Sequence, residues 1–267
     1  CRYYLTVHTL CKSDGQRSLT ACRRSAYHNS FYHLLNLLSK YDLLAIPIVD
    51  KENRILGIVT IDDAIDVIKE EATEDIAKMA GAVPNEKPYL KTKSISLWMN
   101  RVPWLIFLLL SATFTGLIIS KNEALLSNGI YGIILTSCIP MIMGTGGNAG
   151  GQASATIIRG IALDEIEFKD TPRVLWKELR VSLMVGIVLA IVNGLRVFIQ
   201  YQDLQLAVVI GITLIATVAL AKALGCLLPL LAKRLKLDPA IMASPLITTL
   251  VDIFSILVYF RIATAIM

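Results

Sequence analysis

Long runs without a charge dominate the second half of the chain. Residues 102–120 hold no charged side chain, nor do 124–158, 181–195 and 204–221. Shorter uncharged runs follow at 197–202, 223–232, 239–251 and 253–260, and single charges at Arg196, Lys222 and Asp252 separate them from their neighbours. A helix of about 20 apolar residues can cross a bilayer because it satisfies its own backbone polar groups. The pattern therefore predicts five spans, at roughly 102–121, 126–157, 180–201, 205–232 and 244–265. Pro229 is expected to bend or end the fourth. The second carries Pro140 and then Gly144, Gly146, Gly147, Gly150 and Gly151. Two readings of that run stand: close helix packing through small residues, or an irregular backbone whose carbonyls face a permeating ion.

The first third reads differently. Residues 34–39 look helical, 45–49 and 55–60 are short strands around a polar turn at 50–54, and a helix begins at 62–68. Thr60 is placed to cap that helix, with Asp63 three residues on as a weak capping box. A unit this small gains little stability alone, so it is expected to pair with a copy in the same or another chain. Acids then crowd the helix and its continuation: Asp62, Asp63, Asp66, Glu70, Glu71, Glu74 and Asp75. Like charges four apart destabilise a helix mildly. They form either a solvated acidic face or a divalent-ion sensor, in which carboxylates that repel one another are bridged by the ion. Residues 84–94 lead to an amphipathic stretch, 95–100, suited to a membrane interface.

Composition sharpens this picture. Apolar residues make up 55% of the 267 and charged residues only 18%, against about 25% in soluble domains. The net charge is +5, and the basic residues sit in loops beside apolar runs, which fits bilayer orientation rather than nucleic-acid binding. With residues 1–101 cytoplasmic, the loops at 159–180 and 233–243 fall on the same side and hold Arg159, Lys169, Arg173, Lys177, Arg180, Lys233, Arg234 and Lys236. The opposite loops hold little beyond Lys121. That asymmetry puts the N-terminus inside and the C-terminus outside. Residues 1–30 have no apolar core and so do not read as a cleavable signal, and the start at Cys1 without Met is expected of a fragment. Cys1, Cys11 and Cys22, with His8 and His28 nearby, fit no standard zinc spacing.

The chemistry concentrates on Asp252. A carboxylate inside a span costs several kcal/mol unless it meets a partner or water. One reading pairs it with Arg196 or Lys222; the other makes it a cation site, since hard cations prefer carboxylate and carbonyl oxygens. Thr248 lies four residues earlier, on the same helix face, with Ser244 and Thr249 nearby. Such hydroxyls either line a pore or bond back to their own helix. No P-loop, HExxH or GxSxG motif is present, and an intramembrane aspartyl protease needs two aspartates where only Asp252 lies in a span. A dimer could supply the second aspartate, so the protease stays as a rival to the cation site.

Taken together, the residues resemble the MgtE family of magnesium channels and transporters. AIPIVDKENRILGIVTIDDAIDVI is similar to a CBS module and EEATEDIAKMAGA to the family's plug helix. PMIMGTGGNAGGQASATIIRG and LLPLLAKRLKLDPAIMASPLITTLVD resemble its second span and its fourth-to-fifth span region. The resemblance implies a membrane α-helical fold of five transmembrane helices preceded by a partial α/β CBS module and a plug helix. Its parts would be 1–30 unassigned, 31–69 the CBS module, 70–101 the plug helix and linker, and 102–267 the pore domain. It implies a homodimer in the bacterial inner membrane that moves hydrated Mg²⁺, with Mn²⁺, Co²⁺ and Ni²⁺ as alternatives. Asp252 would be the pore carboxylate, supplied twice at the dimer axis, with Gly144 and Gly147 giving pore backbone beside Asn148 and Thr248. Asp63, Asp66, Glu71, Glu74 and Asp75 would sense cytosolic Mg²⁺. Asp238 matches an acid before the fifth span and has no role assigned. Thr60 and Asp63 also fit a T-x-x-D position that contacts ribose in some CBS domains, so ATP is a second candidate ligand. Only one CBS copy is recognisable, and Gly151 stands where some relatives have a polar side chain.

Overall fold

The computed structural model describes residues 38, 40–49, 52, 54–85, 88–127, 129–163, 165–242 and 244–266. The expected helix at 34–39 falls almost wholly outside them, as do the N-terminal cysteines and His8 and His28. The chain divides into two compact units, Cys1–Thr73 and Glu74–Met267.

In the first unit, β1 (Ala45–Val49) and β2 (Ile55–Thr60) pair antiparallel, from Ala45 opposite Thr60 to Ile48 opposite Gly57, with an irregularity between Ile48 and Val49. Helix α1 (Ile61–Met79) follows at once and contributes its first thirteen residues, 61–73, to this unit. Leu38, Val59 and Ala64 form a small core with Ile46 and Ile48 packed on it. Leu44, Ile55 and Ile58 stay exposed, as expected of a unit too small to cover its own sheet.

The second unit is a helical bundle. It runs from the end of α1 through a 3₁₀ turn at Tyr89–Lys91 to α2 (Ser94–Lys121), the short α3 (Glu123–Leu126), α4 (Gly129–Ala162), α5 (Thr171–Tyr201), α6 (Leu204–Arg234) and α7 (Ser244–Ile266). Five of these helices are long and apolar enough to cross a membrane. Each overruns its uncharged stretch, because the backbone stays helical into the polar boundary; the amphipathic 95–100 segment is simply the start of α2. Helix α6 is central and packs on α4, α5 and α7, while α2 touches mainly α7.

Two local expectations are corrected. Pro229 does not end α6, which runs on to Arg234. The glycine run of α4 is not unwound: 144–151 are helical throughout. Within a span the i→i−4 ladder satisfies those backbone groups, and that outweighs the helix-weakening tendency of glycine. Close packing is what Gly146, Gly147 and Gly150 serve. A Cβ on Gly150 would sit 2.9 Å from Ile247 Cγ2 and 3.1 Å from the Ala221 carbonyl oxygen, and one on Gly225 would overlap the Gly150 carbonyl.

Candidate functional site

Helix α7 brings Asp252 and Thr248 one turn apart, both partly exposed. Facing them is α4. A Cβ on Gly147 would lie 3.0 Å from Thr248 Cγ2, so the missing side chain lets the two helices close at this level. One helical turn earlier Gly144 has open space where a Cβ would project. Asn148, Gln152 and Thr156 continue from Gly144 at four-residue intervals and are all exposed. The outer face of α4 thus carries a polar stripe where a lipid-facing helix would carry apolar side chains.

The charges that Asp252 could have paired with are engaged elsewhere. Lys222 is buried in α6 with its Nζ 3.2 Å from Glu178 Oε2 of α5. Arg196 is exposed; its Nε donates to Asn193 Oδ1 at 2.9 Å and its Nη2 approaches Met141 Sδ at 3.8 Å. Among the described residues no cationic side chain lies within ion-pair distance of Asp252. Glu178 was not singled out by the sequence, where it falls among loop charges; its signal is the burial of Lys222 forty-four residues away.

The hydroxyls next to Asp252 follow the bland expectation. Thr248 and Thr249 both donate to the Pro245 carbonyl, at 2.9 and 3.0 Å. Donation uses the hydroxyl hydrogen and leaves the oxygen lone pairs of Thr248 able to accept from water or approach a cation. The carbonyls of Gly144 and Gly147 lie within the helical ladder, so the expectation of a carbonyl-exposing loop is replaced by one of a thin, close-approaching helix wall.

The cytosolic acids are spread along α1. Asp63, Asp66 and Glu71 belong to the first unit, Glu74 and Asp75 to the second. Among the described residues no three His, Cys, Asp or Glu side chains are grouped to hold a metal. They are strung along one helix rising about 1.5 Å per residue, with Lys69 between Asp66 and Glu70 and Lys78 beyond Asp75. Asp66 lies 3.5 Å from Lys69 and Glu74 lies 2.6 Å from Lys78; Glu71 and Asp75 are half-buried.

Thr60 and Asp63 bind each other. Asp63 Oδ2 accepts from the Thr60 hydroxyl at 2.6 Å and from the Thr60 backbone N–H at 3.0 Å, and the Asp63 N–H points to Thr60 Oγ1 at 3.3 Å. This is the reciprocal cap predicted from the spacing. The Thr60 hydroxyl, then its backbone N–H, hold the Asp63 carboxyl below the usual carboxylate range. The two groups that the resemblance assigns to a ribose thus bond to one another through Thr60 Oγ1 and Asp63 Oδ2.

Sequence reasoning also missed Lys78. Its Nζ lies 2.5 Å from Asp238 Oδ2 as well as 2.6 Å from Glu74 Oε1. Partial burial pulls its pKa down, but the bonds from Asp238 and Glu74 outweigh that and hold it above the ordinary lysine value.

Five spans, a carboxylate without a cationic partner and an outward polar stripe define a multi-pass α-helical membrane protein with a small α/β segment ahead of its first span. Residues 139–262 match the MgtE family, described as a divalent cation transporter, and residues 27–70 match the CBS domain. Residues 139–262 therefore carry an MgtE-type domain, which bears out the resemblance read from the sequence. Relatives named magnesium transporter MgtE include one from Thermus thermophilus, 37% identical over 227 residues, and one from Bacillus subtilis, 38% identical over 229. A third, from Enterococcus faecalis, is 37% identical over 227 residues. These matches cover 85%, 86% and 85% of this chain but 50%, 50% and 49% of the relatives, so the chain spans about half the length of the curated relatives it matches.

Proposed function

We propose that this chain conducts Mg²⁺ across a membrane as a homodimer, with Asp252 from each copy facing a shared aqueous path. The observation that carries the reading is Asp252 itself: a carboxylate within a transmembrane helix, partly exposed, while Lys222 and Arg196 are engaged by other groups. A charge so placed is costly unless water or a permeating cation attends it. The polar stripe of Gly144, Asn148 and Gln152 supports the same face as the one turned from lipid toward the second copy. Mg²⁺ gives up its waters reluctantly. A path lined by two carboxylates, amide oxygens and the lone pairs of Thr248 suits a hydrated ion, selected by charge and size without stripping its shell.

The relatives are named as magnesium transporters, which favours Mg²⁺ as cargo over Mn²⁺, Co²⁺ or Ni²⁺. The loop charges favour an N-terminus in the bacterial cytoplasm, and the acids Asp63, Asp66, Glu71, Glu74 and Asp75 are the candidate gating groups, with Glu74 already held by Lys78; they would need a second module to complete a metal site. Nucleotide sensing is the weaker reading, because Thr60 and Asp63 bond to one another in the helix cap. The test is growth. Wild-type protein should restore growth of a Mg²⁺-transport-deficient host at low Mg²⁺, and Asp252→Ala, expressed in the membrane at the same level, should not. Full rescue by that variant would remove Asp252 from the path.

A further inference from the structure

Three side chains far apart in sequence meet at one point of the second unit. The Lys78 ammonium, near the end of α1, lies 2.6 Å from Glu74 on its own helix and 2.5 Å from Asp238, 160 residues away in the loop between α6 and α7. All three are partly sheltered, with side-chain exposures of 23% for Lys78 and 31% for each carboxylate. Asp238 is fixed by its other oxygen, since Oδ1 accepts from the Ala240 N–H at 2.9 Å. That bond organises the 3₁₀ turn Pro239–Met242, which leads into α7 and so to Thr248 and Asp252. On the other side the chain after α1 is also tied down. The Val83 N–H donates to the Asn100 carbonyl of α2 at 3.1 Å, and Gly81, at φ +68°, packs so closely under the Trp104 ring that a Cβ would enter it.

We propose that Lys78 is a resident cation that clamps the connecting helix to the loop leading into the Asp252 helix, filling by its ammonium the place between Glu74 and Asp238 that two facing carboxylates would otherwise need a divalent ion to hold. Two carboxylates that both reach one ammonium stand close enough to repel each other without it, and a charge-assisted hydrogen bond to each removes that repulsion. A lysine ammonium cannot be chelated or diluted away. The contact is therefore closed at every divalent concentration, and any gating by Mg²⁺ must act through other acids. The clamp stands on the contacts alone; only its consequence for gating rests on the transport reading above.

The test is hydrogen exchange on the full chain in lipid nanodiscs, read at 74–83 and 235–243 in EDTA and in millimolar Mg²⁺. Wild-type protein should show the same protection in both. Lys78→Gln should exchange about tenfold faster at 235–243 in EDTA, the scale of one lost charge-assisted bond, and should recover protection when Mg²⁺ bridges the freed carboxylates. Lys78→Gln with Asp238→Asn should exchange fast in both conditions. Unchanged protection across α5 and α6 serves as the check that each variant is folded. The proposal is overturned if wild-type protection itself needs Mg²⁺, if Lys78→Gln matches wild type in EDTA, or if Mg²⁺ restores nothing. Because the readout is exchange and not transport, these outcomes are independent of whether Asp252 lines a path.

Discussion

At the scale of single residues, the informative groups are charges that lipid would reject. Lys222 and Glu178 are buried to 7% and 15% exposure and bond to one another. Breaking such a pair leaves an uncompensated charge, whereas removing both partners together can be close to neutral. Glu178→Gln should therefore destabilise the protein by about 3–5 kcal/mol, read as a lower melting temperature in detergent, and Glu178→Leu with Lys222→Met should recover most of that loss. A double variant as unstable as the single one would show that packing rather than charge is at stake. Asp63 gives the pH-dependent case. Its folded pKa is lowered by the Thr60 hydroxyl and backbone N–H. A depressed carboxylate adds stability above its unfolded pKa and loses it as pH falls through the folded one. Carboxyl ¹³C titration of the full chain should place Asp63 below the ordinary aspartate range, and Thr60→Val should move it back up. An unshifted Asp63 in wild type would contradict the cap.

At the scale of elements, small residues decide how near the helices lie. Gly225 of α6 meets the Gly150 backbone of α4 directly, and Gly147 of α4 meets Thr248 of α7. Gly225→Ala must push α4 and α6 apart, since the obstacle is a backbone carbonyl that cannot turn aside. The expected cost is about 1–3 kcal/mol from overpacking, seen as a lower melting temperature; an unchanged melt would mean the helices are looser than described. Gly144→Ala is the matched control, with open space around the new methyl and little cost expected. The helix ends follow local chemistry: Asp203 accepts from the Leu206 N–H at 3.0 Å to start α6, and Gln202, at φ +52°, closes α5.

At the scale of the whole molecule, what the sequence made legible is what local pattern encodes. The five spans follow from uncharged runs, and the two strands and the Thr60–Asp63 cap follow from alternation and spacing. Asp252 stood out because a charge in an apolar run is expensive whatever surrounds it. The conformation of 144–151 was ambiguous because glycine propensity is measured in water, and the bilayer overrules it. Glu178, the partner of Lys222, lies 44 residues away, and Asp238, the second partner of Lys78 beside Glu74, lies 160 away, and no local pattern points to either. Spacing places the acids of α1 on one helix but does not show that Asp66 and Glu74 are paired with Lys69 and Lys78.

The account's central claim is that Asp252 faces a permeating divalent cation. Purified protein reconstituted into liposomes with an internal Mg²⁺ indicator tests it most directly, wild type beside Asp252→Asn, which keeps the shape and removes the charge. The account predicts saturable Mg²⁺ entry through wild type and a rate for Asp252→Asn no higher than that of protein-free liposomes. Equal entry through both would contradict it.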